Sequence, residues 1–403
     1  MSTINTGRDV RAMVQDILPS LIEIRHDLHA HPELGFEETR TSRVVCEQLD
    51  QLGIEYRNAL AGSTGVLAHL PGDSSTAIGL RADMDALPIM EETGLPWAST
   101  IDGCMHACGH DGHTTILLGV AHVLSRIAAE HELPRGVSLV FQPAEEGGGG
   151  GARMVEDGCL DGSVLGPPIA SMFGLHGWPQ HPIGEVMTRP GPMLAAAVGL
   201  EIAVRGNGCH AAFPQHGSDA VLCAAAIVTS LQQVSSRNVD PLDSVVISIT
   251  QVHGGTTHNI LPDEVLLTGT LRFLLDDTGD LAKRRIKEVV EATAMAHGCT
   301  AELHVLEGDY PVTANHADAV DRFFRIARAT LGDERVSLME HPVMGGEDFS
   351  FYCKQVPSCF FALGLIPPGQ ESMPTLHQPT FDFNDDAIET GVELFCNLAL
   401  DAN

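Results

Sequence analysis

The segment 105–113, which reads M-H-A-C-G-H-D-G-H, constrains the fold of this chain more than any other. It places three histidines, a cysteine and an aspartate within nine residues. A second segment, 141–146, reads F-Q-P-A-E-E and is followed by five glycines at 147–151. Imidazole, thiolate and carboxylate groups bind metals such as zinc, and a free carboxylate beside a metal helps to activate water. The two segments therefore predict a fold that assembles a metal-dependent site.

Length and charge limit the class of protein. A chain of 403 residues with 44% hydrophobic residues is typical of a globular protein with two domains. The formal net charge of −30 predicts no nucleic-acid or membrane partner, because an acidic surface repels phosphate and anionic lipid. No apolar run is long enough to span a membrane, and residues 1–14 lack a secretion signal. We therefore expect a cytoplasmic protein.

The first part of the chain alternates between helix-like and strand-like segments. Helical periodicity occurs at 8–30, 39–52 and 114–129, and strand-like runs occur at 65–70, 77–82, 137–141 and 170–175. This pattern predicts an α/β fold with a mostly parallel sheet. Polar residues follow the strands at their carboxyl ends, where open α/β sheets bind ligands. They are Asp83, Asp85, Glu145, Glu146 and His176.

A change in character near residue 188 predicts a second domain. Strand-like runs at 198–204, 245–252, 265–273 and 301–306 alternate with helical segments at 219–234 and 278–297. The order β-α-β-β-α-β is that of a ferredoxin-like sandwich. We predict an inserted lid or dimerisation domain at 188–308 and a discontinuous catalytic domain at 1–187 and 309–403. The returning chain is predicted to form helices at 317–331 and 385–400 and a strand near 359–363.

Five dispersed residues have the chemistry of metal ligands, namely Cys108, His110, Glu146, His176 and His377. A lone histidine is more often structural, but five such residues at predicted element ends favour a metal site. Adjacent residues at a strand end can point in opposite directions, so one of Glu145 and Glu146 can bind metal while the other acts as a base. The alternative is a solvated acidic turn.

Other histidines in the same motifs are interpreted as structural. His26, His29 and His31 precede Pro32 and Gly35, a sequence typical of a helix end. His106 and His113 are assigned supporting roles around the metal site or within the fold.

The motifs resemble those of the hippurate hydrolase and auxin-amino-acid conjugate hydrolase branch of the dinuclear-metal amidohydrolases. This superfamily also contains aminoacylase, acetylornithine deacetylase and the glutamate carboxypeptidases. The resemblance extends over nearly the whole chain. Its motifs include R-H-D-L-H-x-H-P-E-L-G-F-E-E (25–38), R-A-D-M-D-A-L-P (81–88), G-G-E-D-F (345–349) and L-H-Q-P-x-F-D-F (376–383), besides the two segments above. It implies a three-layer α/β/α catalytic domain, a ferredoxin-like lid and hydrolysis of N-acyl amino acids of the hippurate, N-acetyl or aryl-acyl type.

The resemblance also implies roles for the matched residues of the catalytic domain. It implies two divalent ions per chain, Mn, Zn, Co or Ni, bound by the five candidate ligands, with Cys108 as a bridging thiolate. Glu145 would be the general base that deprotonates a metal-bound water and then protonates the leaving amine. Asp85 would orient a ligand.

In the lid, the resemblance implies that His210 stabilises the oxyanion in the site of a partner subunit. Asn259, Arg272 and Gly345 would bind the substrate, and the Arg272 guanidinium suits a carboxylate because it binds bidentately. A homodimer or homotetramer is therefore expected.

Three positions depart from patterns seen in relatives and leave substrate preference open. Asp83 stands where other branches have a histidine, although it agrees with this branch. Gln215 and Cys209 replace a frequent histidine and glycine. A dipeptidase or carboxypeptidase on the same scaffold is the first alternative, and a non-catalytic metal-binding protein is the second.

Overall fold

A mixed β-sheet of eight strands organises the larger part of the chain. The computed structural model describes residues 6–306 and 309–402, and the chain divides into two units. The first unit comprises Met1–Met193, Ala314–His341 and Asp348–Asn403, and the second comprises Leu194–Thr313 and Pro342–Glu347. The predicted domain limits, 1–187 with 309–403 and 188–308, stay a prediction.

The N-terminal part of the chain contributes most of the first unit. Its elements are α1 (Thr6–Ala30), α2 (Thr39–Leu52), β1 (Glu55–Leu60), β2 (Gly65–Leu70), β3 (Ala77–Asp83), α3 (His110–Glu130), β4 (Gly136–Gln142), α4 (Gly150–Glu156), β5 (Ile169–Pro182), β6 (Val186–Thr188) and β7 (Gly191–Leu194).

The second unit is built on a four-stranded antiparallel sheet. Its elements are β8 (Ala196–Arg205), β9 (Cys209–His210), α5 (Ala220–Gln233), β10 (Val245–Gly254), β11 (Ile260–Leu261), β12 (Glu264–Phe273), α6 (Asp276–Ala296) and β13 (Thr300–Val305). The strand order β10-β12-β8-β13, with α5 packed against α6, is that of a ferredoxin-like sandwich. This part of the predicted fold is confirmed.

The C-terminal part of the chain completes the large sheet. Its elements are β14 (Thr313–Asn315), α7 (Ala317–Leu331), β15 (Val336–Leu338), α8 (Ser350–Cys353), β16 (Ser358–Ile366) and α9 (Ala387–Leu400). The sheet order is β1-β2-β4-β3-β5-β16-β6-β15. Strands β4, β3, β5 and β16 are parallel neighbours, and β2 pairs antiparallel with β1 and with β4.

Apolar residues explain how the helices cover this sheet. Helices α3, α7 and α9 pack on its strands, and α1 packs on α3 and α9. Alternate residues of β4, such as Val137, Leu139 and Phe141, belong to the resulting core and are fully buried. Helices α4 and α8 pack against each other and against β4 and β16. The α/β fold class is confirmed, and among the described residues no helix has the length and apolar character to cross a membrane.

The start of one predicted helix differs from the structure, and one helix of the first unit was not predicted. Helix α3 begins at His110 rather than near 114, because Gly109 has a φ of +86° and turns the chain into the helix directly after Cys108. Helix α4 begins within the glycine run, where intrinsic propensity disfavours a helix.

Candidate metal centre

The candidate ligands come from separate elements of the first unit. Cys108 precedes α3, and His110 is the first residue of that helix. Glu146 follows β4, and His176 lies in β5, the strand two places from β4 across β3. His377 lies between β16 and α9, with a φ of +63° and a backbone N–H that donates to Ala107 O at 2.8 Å. The sheet thus brings together the five predicted ligands.

Their donor atoms form two groups of three that share Cys108. One group is Cys108, His110 and His176, and the other is Cys108, Glu146 and His377; within each, the ligand atoms lie within 4.8 Å of one another. Cys108 Sγ is 3.3 Å from His176 Nε2, and Glu146 Oε1 is 3.1 Å from His377 Nε2. A single sulfur common to two donor groups is an arrangement that could hold two neighbouring cations.

Hydrogen bonds fix the direction of the two buried histidines. His110 Nδ1 lies 2.9 Å from the Asp85 carbonyl oxygen, and His176 Nδ1 lies 2.8 Å from the Gly177 carbonyl oxygen. Because a carbonyl oxygen only accepts, Nδ1 carries a hydrogen in both rings, and Nε2 is the nitrogen left to bind a cation once it is deprotonated. Each ring therefore presents Nε2 as a ligand atom.

Asp85 orients two of these residues at once. Its Oδ1 lies 3.2 Å from His110 Nδ1, and its Oδ2 accepts the Glu146 backbone N–H at 2.9 Å. The side chain is almost fully buried, at 1% exposure. These contacts agree with the orienting role that the resemblance implies for Asp85.

Unpartnered atoms test whether the donor set fits a cation. His110 Nε2 and Glu146 Oε1 are buried and lack a geometrically acceptable hydrogen bond among the described residues, although His377 Nε2 lies close to Glu146 Oε1. A buried imidazole nitrogen and a buried carboxylate oxygen without partners destabilise a fold unless another group, such as a cation, satisfies them. The mixed N, O and S donors suit zinc and similar divalent ions. The residues fit the metal ions that the resemblance implies.

The pKa shifts report a concentration of negative charge. Burial raises the pKa of the Cys108 thiol well above its usual value, and Glu146 and Glu145 add to the effect. Burial alone would lower the pKa of His110, but the Asp83 and Asp85 carboxylates raise it to about 10. A divalent cation would offset this charge and favour the thiolate.

Glu145 lies beside the donor groups without belonging to the two that share Cys108. It is 5% exposed, and its carboxylate is within 4.8 Å of ligand atoms of His110 and Glu146. The preceding residue, Ala144, has a φ of +52°. The chain therefore turns sharply after β4, before it reaches the two glutamates. This burial disfavours the alternative of a solvated acidic turn.

The glycine run allows the chain to pass close to its own backbone after this turn. A Cβ atom at Gly150 would lie 1.7 Å from Pro143 O, and Gly147 has a φ of +126°. Neither position accommodates a side chain without rearrangement. The run is therefore a close-packed turn that carries the glutamates.

A buried ion network supports the base of the site. Arg81 donates to Asp83 at 2.5 Å and to Asp348 at 2.8 Å. His113 Nδ1 lies 2.7 Å from Asp83 Oδ1, and its Nε2 accepts the Gly177 N–H at 2.8 Å, next to His176. His113 thus supports a ligand-bearing strand. The sequence pattern did not indicate the contact from Arg81 to Asp348, because the two residues are far apart in the chain.

His29 and His26 contact a carboxylate and an aromatic ring, respectively, whereas both ring nitrogens of His106 are buried without a hydrogen-bond partner among the described residues. His29 Nδ1 lies 2.8 Å from Asp111 Oδ2; burial would lower its pKa, but Asp111 raises it to about 9. His26 stacks on the Trp97 ring with centroids 3.7 Å apart. Within the described part of the chain, His26, His29, His31 and His106 belong to none of the donor groups.

The predicted substrate and oxyanion residues lie in the second unit. His210 is exposed at the end of β9, and its backbone pairs with Ile260 beside Asn259. Ala211 N donates to Asn259 O at 2.9 Å, so His210 and Asn259 are neighbours. Arg272 lies on β12 and donates to Thr270 Oγ1, and Gly345 O accepts the Ala195 N–H. Their roles stay predictions.

The fold and the donor groups define a metal-dependent hydrolase. A family model for peptidase family M20/M25/M40 matches residues 79–401. The chain is 38% identical over 390 residues to an IAA-amino acid hydrolase ILR1-like 2 of Arabidopsis thaliana, covering 96% of this chain and 85% of the relative. It is 36% identical over 381 residues to an N-acetylcysteine deacetylase of Bacillus subtilis, covering 94% of this chain and 96% of the relative.

A solved structure agrees with these sequence matches. The Bacillus subtilis YXEP protein, a dinuclear metal binding peptidase from the M20 family, superposes with a TM-score of 0.81 at 32% identity, covering 96% of this chain and 98% of that chain. The chain therefore belongs to peptidase family M20/M25/M40. The predicted branch of the amidohydrolases is confirmed.

Proposed function

We propose that the protein hydrolyses the amide bond of N-acyl amino acids at a centre of two divalent ions, releasing a carboxylic acid and a free amino acid. The observation that carries the proposal is the pair of donor groups sharing Cys108, with Glu145 buried beside them. Two relatives, a hydrolase of IAA-amino acids and a deacetylase of N-acetylcysteine, support an amino-acid derivative as the substrate.

The positions of the residues in the site suggest a separate role for each of them. Cys108, His110, Glu146, His176 and His377 hold the ions, which when bound supply Lewis acidity at the carbonyl group and make water more acidic. Glu145 accepts a proton from the attacking water and donates it to the leaving amine. Asp85 keeps His110 and the Glu146 backbone in place.

Residues of the second unit complete the proposal. Arg272 and Asn259 bind the substrate carboxylate, together with the backbone at Gly345, and a guanidinium is suited to this because it forms two parallel hydrogen bonds. His210 stabilises the oxyanion in the site of a partner subunit in a homodimer or homotetramer. Its exposure and its proximity to Asn259 support that role. We also propose that the protein is located in the cytoplasm.

A cavity beside the metal centre supports an uncharged acyl group. It has a volume of about 310 Å³, and its lining consists of Leu34, Gly35, Asp85, Ala86, Leu87, Pro88, Glu146, Gly147 and Gly148. The apolar residues of this lining suit an acyl chain or ring.

Leu34→Trp is therefore expected to lower the preference for large acyl groups, because the indole fills part of this cavity. The ratio of kcat/KM for N-benzoyl over N-acetyl amino acids should fall about tenfold, a typical effect of lost space in an apolar pocket. Met90→Trp is the matched control, since Met90 is exposed and does not line the cavity. An unchanged ratio in Leu34→Trp would place the acyl group elsewhere.

Metal content and hydrolysis measured together test the proposed function. We expect about two divalent ions per chain by elemental analysis and chelator-sensitive, metal-restored hydrolysis of N-acetyl or N-benzoyl amino acids. Dipeptides are the discriminating comparison: a requirement for a free α-amino group would favour the peptidase alternative, which the family name also supports. Metal without turnover on either substrate class would favour a binding protein, and no metal would show the ligand set to be wrong.

A further inference from the structure

The carboxylate of Glu38 is buried near the site, but neither metal binding nor proton transfer requires it. Its side chain is 0% exposed and lies directly before α2. Oε1 accepts the Ala144 backbone N–H at 2.8 Å, and Oε2 accepts the Thr64 hydroxyl at 2.8 Å. One side chain therefore links the segment before α2 to the residue that precedes Glu145.

The backbone of Ala144 makes this link important. Its φ of +52° lies in the left-handed region, which a residue with a Cβ atom rarely adopts. Such a conformation persists only when surrounding contacts hold it. Ala144 directs the chain from β4 into Glu145, so a change in its dihedral angles would redirect the Glu145 carboxylate.

The segment 33–38 packs closely on the same turn. A Cβ atom at Gly35 would lie 3.0 Å from the Ala144 Cβ atom, so glycine is what allows the approach. On its other side, the segment contacts the residue after Asp85, because Ala86 N donates to Glu33 O at 2.8 Å. The segment therefore lies against both Ala144 and the residues Asp85 and Ala86, which follow β3.

The contacts of Glu38 do not require a negative charge. Burial raises its pKa to about 7, against the opposing effect of the hydrogen bonds from Thr64 and Ala144. A neutral glutamine offers the same geometry: its carbonyl oxygen accepts the Ala144 N–H, and its amide donates to the Thr64 hydroxyl oxygen.

We propose that Glu38 is a positioning residue that aims Glu145 by holding the Ala144 N–H. The inference rests on the proposed function, in which Glu145 transfers the proton. Glu38 acts through the backbone and touches neither the substrate nor the ions.

The test compares Glu38→Ala with Glu38→Gln in the metal-loaded enzyme. Glu38→Ala is expected to lower kcat about 10–100-fold, since a misplacement of about 1 Å costs an enzyme on this order, while KM and metal content stay close to wild type. Glu38→Gln should restore kcat to within about threefold of wild type, because it keeps both hydrogen bonds.

Glu33→Ala is the matched control for a purely structural effect. The Glu33 carboxylate accepts the backbone N–H groups of Arg40 and Thr41 in the first turn of α2 and makes no contact with Ala144. Its loss should lower Tm and leave kcat unchanged. Glu38→Asp is added in case the alanine variant does not fold: it keeps a carboxylate but is too short to reach both partners, so kcat should fall as in Glu38→Ala.

The outcomes separate this inference from the proposed function. Wild-type kcat in Glu38→Ala or Glu38→Asp, alongside an inactive Glu145→Gln enzyme, would overturn the positioning role alone. An equal loss of kcat in Glu38→Gln and Glu38→Ala would also overturn it, because the hydrogen bonds are kept in the first. Full turnover by Glu145→Gln would overturn the proposed function and this inference with it.

Discussion

Glu145→Gln is expected to lower kcat by about 10²–10⁴-fold while the enzyme retains its metal ions. Glutamine has nearly the shape of glutamate but cannot accept the proton of the attacking water at neutral pH. Glu145 is not among the five proposed ligands, although its carboxylate lies within 4.8 Å of ligand atoms of His110 and Glu146, so we expect its substitution to leave metal binding intact. Single-turnover hydrolysis of an N-acyl amino acid and elemental analysis of the same preparation measure the two effects.

The adjacent substitution Glu146→Gln is the matched control. Glu146 belongs to the group with Cys108 and His377, so its replacement should lower metal content as well as turnover. The same chemical change at neighbouring positions thus has different consequences. Near-wild-type turnover by metal-loaded Glu145→Gln would exclude the residue as the base. Loss of metal from Glu145→Gln would make it a ligand instead.

The different surroundings of the two glutamates explain why neighbours can have different tasks. The backbone N–H of Glu146 is held by Asp85, and its carboxylate lies at His377. The turn at Ala144, which has a positive φ, changes the direction of the chain between β4 and Glu145. A regular strand would place successive side chains on opposite faces, so the turn is what keeps both near one centre.

Much of this site could be predicted from the sequence because its chemistry is concentrated in short motifs. Cys108 and His110 are two residues apart, and Glu145 and Glu146 are adjacent, so residue type and spacing already indicate a metal centre. The assignment of His176 and His377 as ligands required more information, since a single histidine at the end of an element does not by itself indicate a metal site. The resemblance to a family supplied their assignment, and the structure places both at the other donors.

The fold was predictable where hydrophobic periodicity is clear. The β-α-β-β-α-β order between β8 and β13 follows from strands and helices of ordinary length. The start of α3 and the existence of α4 were not predictable in this way. In both places the local sequence is rich in glycine, and tertiary contacts, such as the approach of Gly150 to Pro143, determine the conformation.

Long-range polar contacts were the least accessible from sequence. Glu38 and Ala144 are separated by 106 positions, and Arg81 and Asp348 by 267. Nothing in the local pattern of Glu37 and Glu38 indicates that one carboxylate is buried and the other exposed. Such pairs follow from the tertiary arrangement of loops and helix ends, which single-sequence reasoning does not give.

Cys108→Ala is expected to release both metal ions and abolish hydrolysis, because the thiolate is the donor common to both groups. Loss of a residue that only supports a ligand already weakens metal binding by about 10–100-fold, so loss of a shared ligand should exceed that range. Competition with a chelator of known affinity gives the change for each ion. The rise in Tm on metal addition, which wild type should show by mass action, should be absent.

His377→Ala provides the comparison that tests the sharing itself. His377 belongs to one group only, and the donors Cys108, His110 and His176 remain in its absence. We therefore expect one ion per chain to be retained with near-native affinity and one to be lost. If Cys108→Ala instead kept one tightly bound ion, as His377→Ala is expected to do, the sulfur would serve a single ion. The arrangement of two donor groups about one thiolate would then be wrong, although Glu145 could still act beside the remaining ion.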